Sequence, residues 1–81
     1  MSAERPRVGT LLRVRGAVQG VGFRPHVARL ARTERLLGWV QNDAEGVTIA
    51  LLTDAEEARA FVERVRASLP PLARITEISI E

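Results

Sequence analysis

With 81 residues, the chain is short enough to form one domain and long enough to bury one modest hydrophobic core. It has no cysteine and a single histidine, which excludes disulfides and thiolate metal sites and argues against an all-protein zinc site. The net charge is only +2 despite a pI of about 11, because all twelve basic residues are arginine. These arginines are spread along the chain and interleaved with ten acidic residues rather than forming a basic stripe, so the charge pattern does not favour nucleic-acid binding.

The hydropathy pattern also argues against a membrane protein. Mean hydropathy is close to zero, and no stretch approaches the roughly 18 uninterrupted apolar residues that a membrane-spanning helix needs. The first residues lack the charged, apolar and small segments of a secretory signal. We therefore expect a cytoplasmic protein without a membrane partner.

The first half of the chain predicts a strand, a glycine-rich loop and a helix. Residues 1–7 are polar and aperiodic, which predicts a disordered tail ahead of a domain that spans 8–81. Residues 8–18 alternate in the manner of a strand, and three glycines follow within 16–22. Pro25 suits the first position of a helix, which we expect to end at Leu36 and Gly38.

The second half predicts two strands, a helix and a last strand. Residues 39–43 and 47–52 form a hairpin around the turn 43–46, and the partly apolar outer face of the later strand favours a central position in the sheet. A helix follows, with Thr53 as its cap and Glu56 reaching back, and prolines 70–71 end it. In the final strand, from 74 to 81, the phase of the isoleucines slips after Ile75, which predicts a bulge or a late start.

The predicted order is therefore β-α-β-β-α-β. This order is typical of an α+β fold, the ferredoxin-like sandwich, in which a four-stranded antiparallel sheet carries both helices on one face. Phe23 and Trp39 are expected in the core, and His26 on the surface or partly packed. Because this fold hosts unrelated functions, function has to be argued from a site.

The start of the first helix predicts an anion site. Gly20 to Pro25 offers no side chain that could cap the free N–H groups, and Arg24 and His26 put cations at the positive end of the helix dipole. A bound anion would accept those N–H groups and pair with the planar fork of Arg24. The alternative is a tight turn with Arg24 in solvent. The spacing of the glycines fits neither GxxxxGK[ST] nor GxGxxG, the two glycine motifs that bind nucleotides.

Two motifs resemble the acylphosphatase family: GAVQGVGFR at 16–24 and GWVQN at 38–42. The resemblance covers residues 11–80 and implies the ferredoxin-like fold. It also implies hydrolysis of acyl phosphates at a site with no metal or other cofactor, in which Arg24 and Asn42 are catalytic and Asn42 positions the attacking water. The implied phosphate-binding residues are Gln19, Gly20, Val21, Gly22, Phe23 and Arg24.

A narrower resemblance rests on GVGFRPHVARLA at 20–31 and NDAEGV at 42–47. These segments are similar to the N-terminal acylphosphatase-like domain of the carbamoyltransferases that mature nickel–iron hydrogenases. That resemblance implies carbamoyl phosphate as the substrate, inorganic phosphate as product, and further domains of a larger carbamoyltransferase as partners. His26 stands where an aromatic residue is common in the family.

Several alternatives remain at the sequence level. The chain could be a free-standing acylphosphatase, or a non-catalytic anion-binding or docking domain of the same fold. Asn42 could belong to simple turn chemistry, and the side chain of Gln19 could do no more than shape the loop. Asp43 gives no sign of facing the site. RNA binding through an open sheet face needs two or three exposed aromatic residues, which the central strands do not offer.

Overall fold

The computed structural model describes residues 9–81, so the predicted tail at 1–7 lies outside the described residues. The predicted order of elements is confirmed. They are β1 (Thr10–Ala17), α1 (Phe23–Thr33), β2 (Gly38–Asp43), β3 (Gly46–Leu51), α2 (Ala55–Ala67) and β4 (Arg74–Ile80). Neither helix in the described part of the chain is long and apolar enough to cross a membrane.

The four strands form one antiparallel sheet in the order β2-β3-β1-β4, and the core lies between one face of this sheet and the two helices. β3 is an inner strand, as its apolar outer face predicted. Alternation along β1 sends Leu12 and Val14 into the core and Arg13 and Arg15 to the open face. The fold is the predicted ferredoxin-like sandwich. The largest fully buried side chains are Phe23, Phe61, Leu12, Ile49, Val14, Val18, Val27, Val47 and Val65.

The phase slip in β4 corresponds to an irregularity in its pairing with β1. Arg15 pairs with Glu77 and Gly16 pairs with Ile75, so one extra residue of β4 is accommodated at this point. Gly16 allows the close approach, since a Cβ built there would lie 2.2 Å from the carbonyl oxygen of Arg74. The predicted bulge is confirmed.

Helix α1 begins earlier and ends earlier than predicted. Its first residue is Phe23 rather than Pro25, because Gly22 adopts the left-handed conformation and turns the chain into the helix two residues sooner. Pro25 is tolerated because N–H groups of the first turn have no acceptor within the helix. At the other end, Arg35 has a φ of 59°, and the amide of Leu36 donates to the carbonyl of Ala31 at 2.9 Å. This left-handed C-terminal motif ends α1 before Leu36.

Helix α2 is capped by Asp54, so the prediction of Thr53 was wrong by one residue. A side-chain oxygen of Asp54 accepts from the amide of Glu57 at 2.9 Å. The carbonyl of Thr53 instead accepts a hydrogen bond from the hydroxyl of Thr10 at 2.8 Å, which joins this turn to β1. Thr53 and Asp54 each precede a glutamate by three residues, so either could cap the helix. Asp54 is the cap in the structure, where Thr53 is instead joined to β1 through its carbonyl.

The expectation that Phe23 is buried is confirmed, but the same expectation for Trp39 was wrong. Trp39 is 52% exposed, because it lies on an edge strand and alternates with Val40, which packs against the core. Its side of β2 is the open face of the sheet. There, with Leu37 and Leu52, it lines an apolar cleft of about 480 Å³.

Candidate functional site

The glycine-rich loop leaves β1 at the end of the sheet where the β2–β3 hairpin turns. Val18 and Phe23 are almost completely buried, so the core holds the loop at both ends. Between them, Gln19, Gly20 and Gly22 are exposed. The fold therefore presents a short stretch of backbone to solvent while fixing the positions at which it begins and ends.

The backbone of this loop alternates in handedness. Gly20 and Gly22 have φ values of 73° and 83°, whereas Val21 and Phe23 do not have positive φ. Successive residues of opposite handedness make consecutive N–H groups converge, which is the geometry of an anion-binding nest. No atom lies within 4 Å of a Cβ built on either glycine, so the conformation and not crowding requires glycine here.

Six consecutive amides of this loop have no acceptor among the residues that the structure describes. Within residues 9–81, none of the backbone N–H groups from 19 to 24 donates a hydrogen bond to another residue. The N-cap Gly22 has no side chain to accept one, and the first turn of α1 contains no acidic residue. Helix α2 shows the contrast, with Asp54 as its cap and Glu56 and Glu57 in its first turn. The missing cap predicted for α1 is confirmed.

Arg24 is the second residue of α1 and its side chain is exposed. Among residues 9–81, four other arginines form ion pairs with glutamates, for example Arg15 with Glu45 at 2.9 Å. In the described part of the chain, no carboxylate lies within 4.0 Å of the Arg24 guanidinium. Arg24 therefore contributes both an unpaired cation and one of the unpaired amides, and both kinds of group suit a tetrahedral oxyanion.

Asn42 lies near the end of β2, opposite Val47 of β3. It shares its side of the strand with Val40, which packs against the core, so Asn42 lies on the helix-covered face of the sheet. It is exposed because it is the last residue on this side of the edge strand. The strand thus puts an amide side chain on the same face as α1, whose first turn carries Arg24.

Gln19 joins the loop to the hairpin. Its side-chain Nε2 donates to the carbonyl oxygen of Asp43 at 2.9 Å and to that of Gly46 at 2.7 Å. Since Asp43 follows Asn42 directly, this contact brings the loop and the predicted water-positioning residue to one place. The sequence predicts the loop amides and Asn42 as site residues. It gives no local signal for the contact of Gln19, whose acceptors lie 24 and 27 residues further along the chain.

Asp43 faces away from this site. It pairs with Gly46 at the turn, and its carboxylate accepts hydrogen bonds from the hydroxyl of Thr48 and the amide of Glu45 on the open side of the sheet. The Thr48 hydroxyl and then the Glu45 amide hold the pKa of the Asp43 carboxyl below its ordinary value of 3.8. Asp43 is therefore a carboxylate that stabilises the turn, and it does not join Arg24 and Asn42.

His26 is half-buried between the helices, as expected for a partly packed residue. Its Nε2 lies 3.1 Å from the hydroxyl of Ser68, which in turn donates to the carbonyl of Arg64 at the end of α2. This contact joins the start of α1 to the end of α2. Among residues 9–81, no group of three or more His, Cys, Asp or Glu side chains is arranged to hold a metal ion.

A sequence model of the acylphosphatase family matches residues 11–81. The acylphosphatase of Burkholderia lata is 42% identical over 73 residues, which cover 86% of this chain and 71% of that protein. The carbamoyltransferase HypF of Rhizobium leguminosarum bv. viciae is 56% identical over 69 residues, which cover 85% of this chain. The crystal structure of full-length HypF in the phosphate- and nucleotide-bound form matches with a TM-score of 0.80 and 33% identity over 95% of this chain.

The chain belongs to the acylphosphatase family. It spans 9% of the length of the Rhizobium carbamoyltransferase and 11% of the full-length HypF in the crystal structure. The similarity to these long proteins is thus confined to an acylphosphatase-like part of them. The resemblance to the acylphosphatase family and the narrower resemblance to the N-terminal domain of the carbamoyltransferases are both confirmed.

Proposed function

We propose that this domain hydrolyses acyl phosphates to a carboxylate and inorganic phosphate, with Arg24 and Asn42 as its catalytic residues. The observation that carries the proposal is the set of donors at the start of α1 that have no partner within 9–81: six consecutive amides and a guanidinium. A bound phosphate group accepts hydrogen bonds from such free amides and pairs with a guanidinium. Asn42 lies at the same end of the sheet, in the β2–β3 hairpin that Gln19 joins to the loop.

Phosphate binding is assigned to the amides of the loop and to the side chain of Arg24. The loop residues are Gln19, Gly20, Val21, Gly22, Phe23 and Arg24. Phosphoryl transfer asks for positioning and for stabilisation of charge on the equatorial oxygens rather than for covalent catalysis. Fixed N–H groups beside a cation supply that stabilisation without reorganisation during the reaction. The charge is thus held by protein groups, in a mechanism that is independent of a metal.

In the proposed step, the oxygen of a water held by the Asn42 amide attacks phosphorus in line with the acyl oxygen. The new P–O bond forms as the bond to the acyl oxygen breaks, and the carboxylate leaves with the electron pair. A carboxylate is a good leaving group, so no strong general acid is needed. The water proton passes to a phosphate oxygen, which agrees with the orientation of Asp43 toward the other face of the sheet.

Carbamoyl phosphate is the proposed physiological substrate. The carbamoyltransferases that this chain resembles are about ten times longer than the matched segment, which supports the proposal that the domain is a module of such an enzyme. We assign the module to residues 8–81, and we propose that the protein is cytoplasmic. Further domains of the carbamoyltransferase are then its partners.

The test is phosphate release from benzoyl phosphate and carbamoyl phosphate by the purified domain. Arg24→Ala and Asn42→Ala should each lower kcat/KM by at least about 100-fold, since each removes a group that acts on the transition state. Arg29→Ala, on the next turn of α1, and Gln41→Ala, beside Asn42 on β2, are the matched controls and should keep full activity. Wild-type protein as inert as the Arg24 and Asn42 variants would overturn the proposal and leave an anion-binding or docking domain.

A further inference from the structure

The contact between Gln19 and the β2–β3 turn has a consequence for the reaction proposed above. Both protons of the Gln19 Nε2 amide are used, on the carbonyl oxygens of Asp43 and Gly46. These carbonyls come from the two residues that face each other across the turn, at its closing pair. A single side chain thus spans the gap between the phosphate-binding loop and the strand that carries Asn42.

The turn that accepts these hydrogen bonds is itself held in place. Asp43 accepts from the amide of Glu45 at 2.8 Å and from the hydroxyl of Thr48, which closes the turn from the open face of the sheet. Gly46 lies so close to β1 that a Cβ built on it would be 2.0 Å from the carbonyl oxygen of Val14. The two acceptors of Gln19 are therefore fixed to the sheet rather than mobile.

We infer that Gln19 is a positioning residue that sets the distance between the bound phosphate and the water on Asn42. This inference rests on the proposed hydrolysis. The loop amides and Arg24 bind phosphate without the side chain of Gln19, whereas Asn42 belongs to a different element. Alignment of the attacking water therefore depends on how firmly the loop and β2 are joined. A displacement of about 1 Å in a reacting group can cost on the order of 100-fold in rate.

The expected signature is a loss of kcat with little change in binding. Gln19→Leu keeps the approximate volume of the side chain but removes both donors. It should lower kcat for benzoyl phosphate at least about tenfold. KM and the inhibition constant of inorganic phosphate should stay within about threefold of wild type, since the amides and Arg24 remain. Gln19→Met likewise has no donor and adds no charge beside the anion site, so it should behave in the same way.

Gln41→Leu is the matched control, because Gln41 is the other glutamine of the chain and lies on the open face of β2. It should retain wild-type kcat. Thermal unfolding with and without inorganic phosphate establishes that each variant is folded and binds the anion. A purely structural role for Gln19 would appear as a lower Tm with an unchanged kcat below the unfolding transition.

Two results would overturn the inference. A kcat within twofold of wild type for folded Gln19→Leu would show that alignment does not depend on this contact. A rise in KM and in the phosphate inhibition constant at unchanged kcat would assign Gln19 to binding instead. In both cases wild-type activity remains and the proposed hydrolysis stands. If wild-type protein binds phosphate but hydrolyses neither substrate, the proposed function fails and the inference fails with it.

Discussion

The carboxylate of Asp43 supports the site from the opposite face of the sheet, and its contribution depends on pH. Hydrogen bonds from the Thr48 hydroxyl and the Glu45 amide favour the ionised form and lower the pKa of Asp43 below 3.8. A group with a lowered native pKa stabilises the fold above its unfolded pKa, and this stabilisation is lost as the pH falls through the native value. Asp43 should therefore stabilise the turn at neutral pH and lose that effect under strongly acidic conditions.

We expect Asp43→Asn to lower the urea midpoint of unfolding at pH 6 relative to wild type. The difference between the two proteins should shrink as the pH falls below about 3.8 and vanish once Asp43 is protonated in the native state. Glu45→Gln is a useful control, because it removes the ion pair with Arg15 but leaves the amide that donates to Asp43. A difference between Asp43→Asn and wild type that is the same at pH 6 and pH 2 would contradict this assignment.

The missing cap at the start of α1 can be predicted from the sequence because its signal is local, whereas the role proposed for Asn42 comes from the family resemblance. A helix start without a cap, with arginine in its first turn, is a conflict visible in six consecutive residues. The side-chain contact of Gln19 has no such signal, since its acceptors are backbone carbonyls 24 and 27 residues away. Backbone acceptors are present at every residue, so no pattern of residue types predicts which of them a loop will reach.

At the scale of elements, Gly22 in the loop before α1 and Gly46 in the β2–β3 turn are needed for different reasons. Gly22 has a φ of 83° and open space around a built Cβ, so alanine there meets only the conformational penalty of the left-handed region. Gly46 of the β2–β3 turn is the opposite case, because a built Cβ would lie 2.0 Å from the carbonyl oxygen of Val14. One glycine is needed for conformation and the other for close approach.

Gly22→Ala should destabilise the domain by about 1–2 kcal/mol, the usual cost of left-handed geometry for a residue with a side chain. Gly46→Ala should cost about 3 kcal/mol, the upper end of the usual range for overpacking, since either the hairpin or β1 must move to relieve the overlap. Urea unfolding of the two variants and wild type measures both values. Ala60→Gly, on the exposed face of α2, serves as a reference, because it should lower the free energy of unfolding by about 1 kcal/mol. Equal losses for Gly22→Ala and Gly46→Ala would contradict the distinction.

The element boundaries show where sequence patterns stop being decisive. Thr53 and Asp54 each precede a glutamate by three residues, so the sequence allows both caps, and the structure has Asp54. The start of α1 at Phe23 depends on the left-handed Gly22, which a proline-based prediction misses. The prediction that Trp39 lies in the core was wrong, because burial on an edge strand depends on which face the helices cover.

At the scale of the whole molecule, the order of elements was predictable because each one has its own hydrophobic period. Alternation marks β1, helical spacing marks α2, and the phase slip at Ile75 marks the irregular pairing of β4 with β1. Only one layered arrangement follows readily from this order, and the core between sheet and helices agrees with it. That arrangement brings the loop, α1 and the end of β2 to one end of the sheet.

Because the site exists only in the folded chain, an anion that occupies it should stabilise the entire domain. A ligand that binds the native state alone adds about 2.7 kcal/mol to the free energy of unfolding at a concentration of 100 times its Kd. For a domain of this size, that free energy raises the Tm by roughly 10–20 °C. Inorganic phosphate should produce such a rise in differential scanning fluorimetry, because it satisfies the unpaired amides and Arg24.

The rise in Tm that phosphate produces should be much smaller for Arg24→Ala, because this variant keeps the amides but loses the guanidinium. It should be unchanged for Arg29→Ala, which keeps both groups. Potassium chloride at equal ionic strength should have little effect, since general screening does not depend on the loop. Gln19→Leu should respond to phosphate almost as wild type does, because its side chain joins the loop to the hairpin and does not contact the anion. An equal rise in wild type and Arg24→Ala would place the bound phosphate elsewhere on the domain and remove the observation on which the proposed hydrolysis rests.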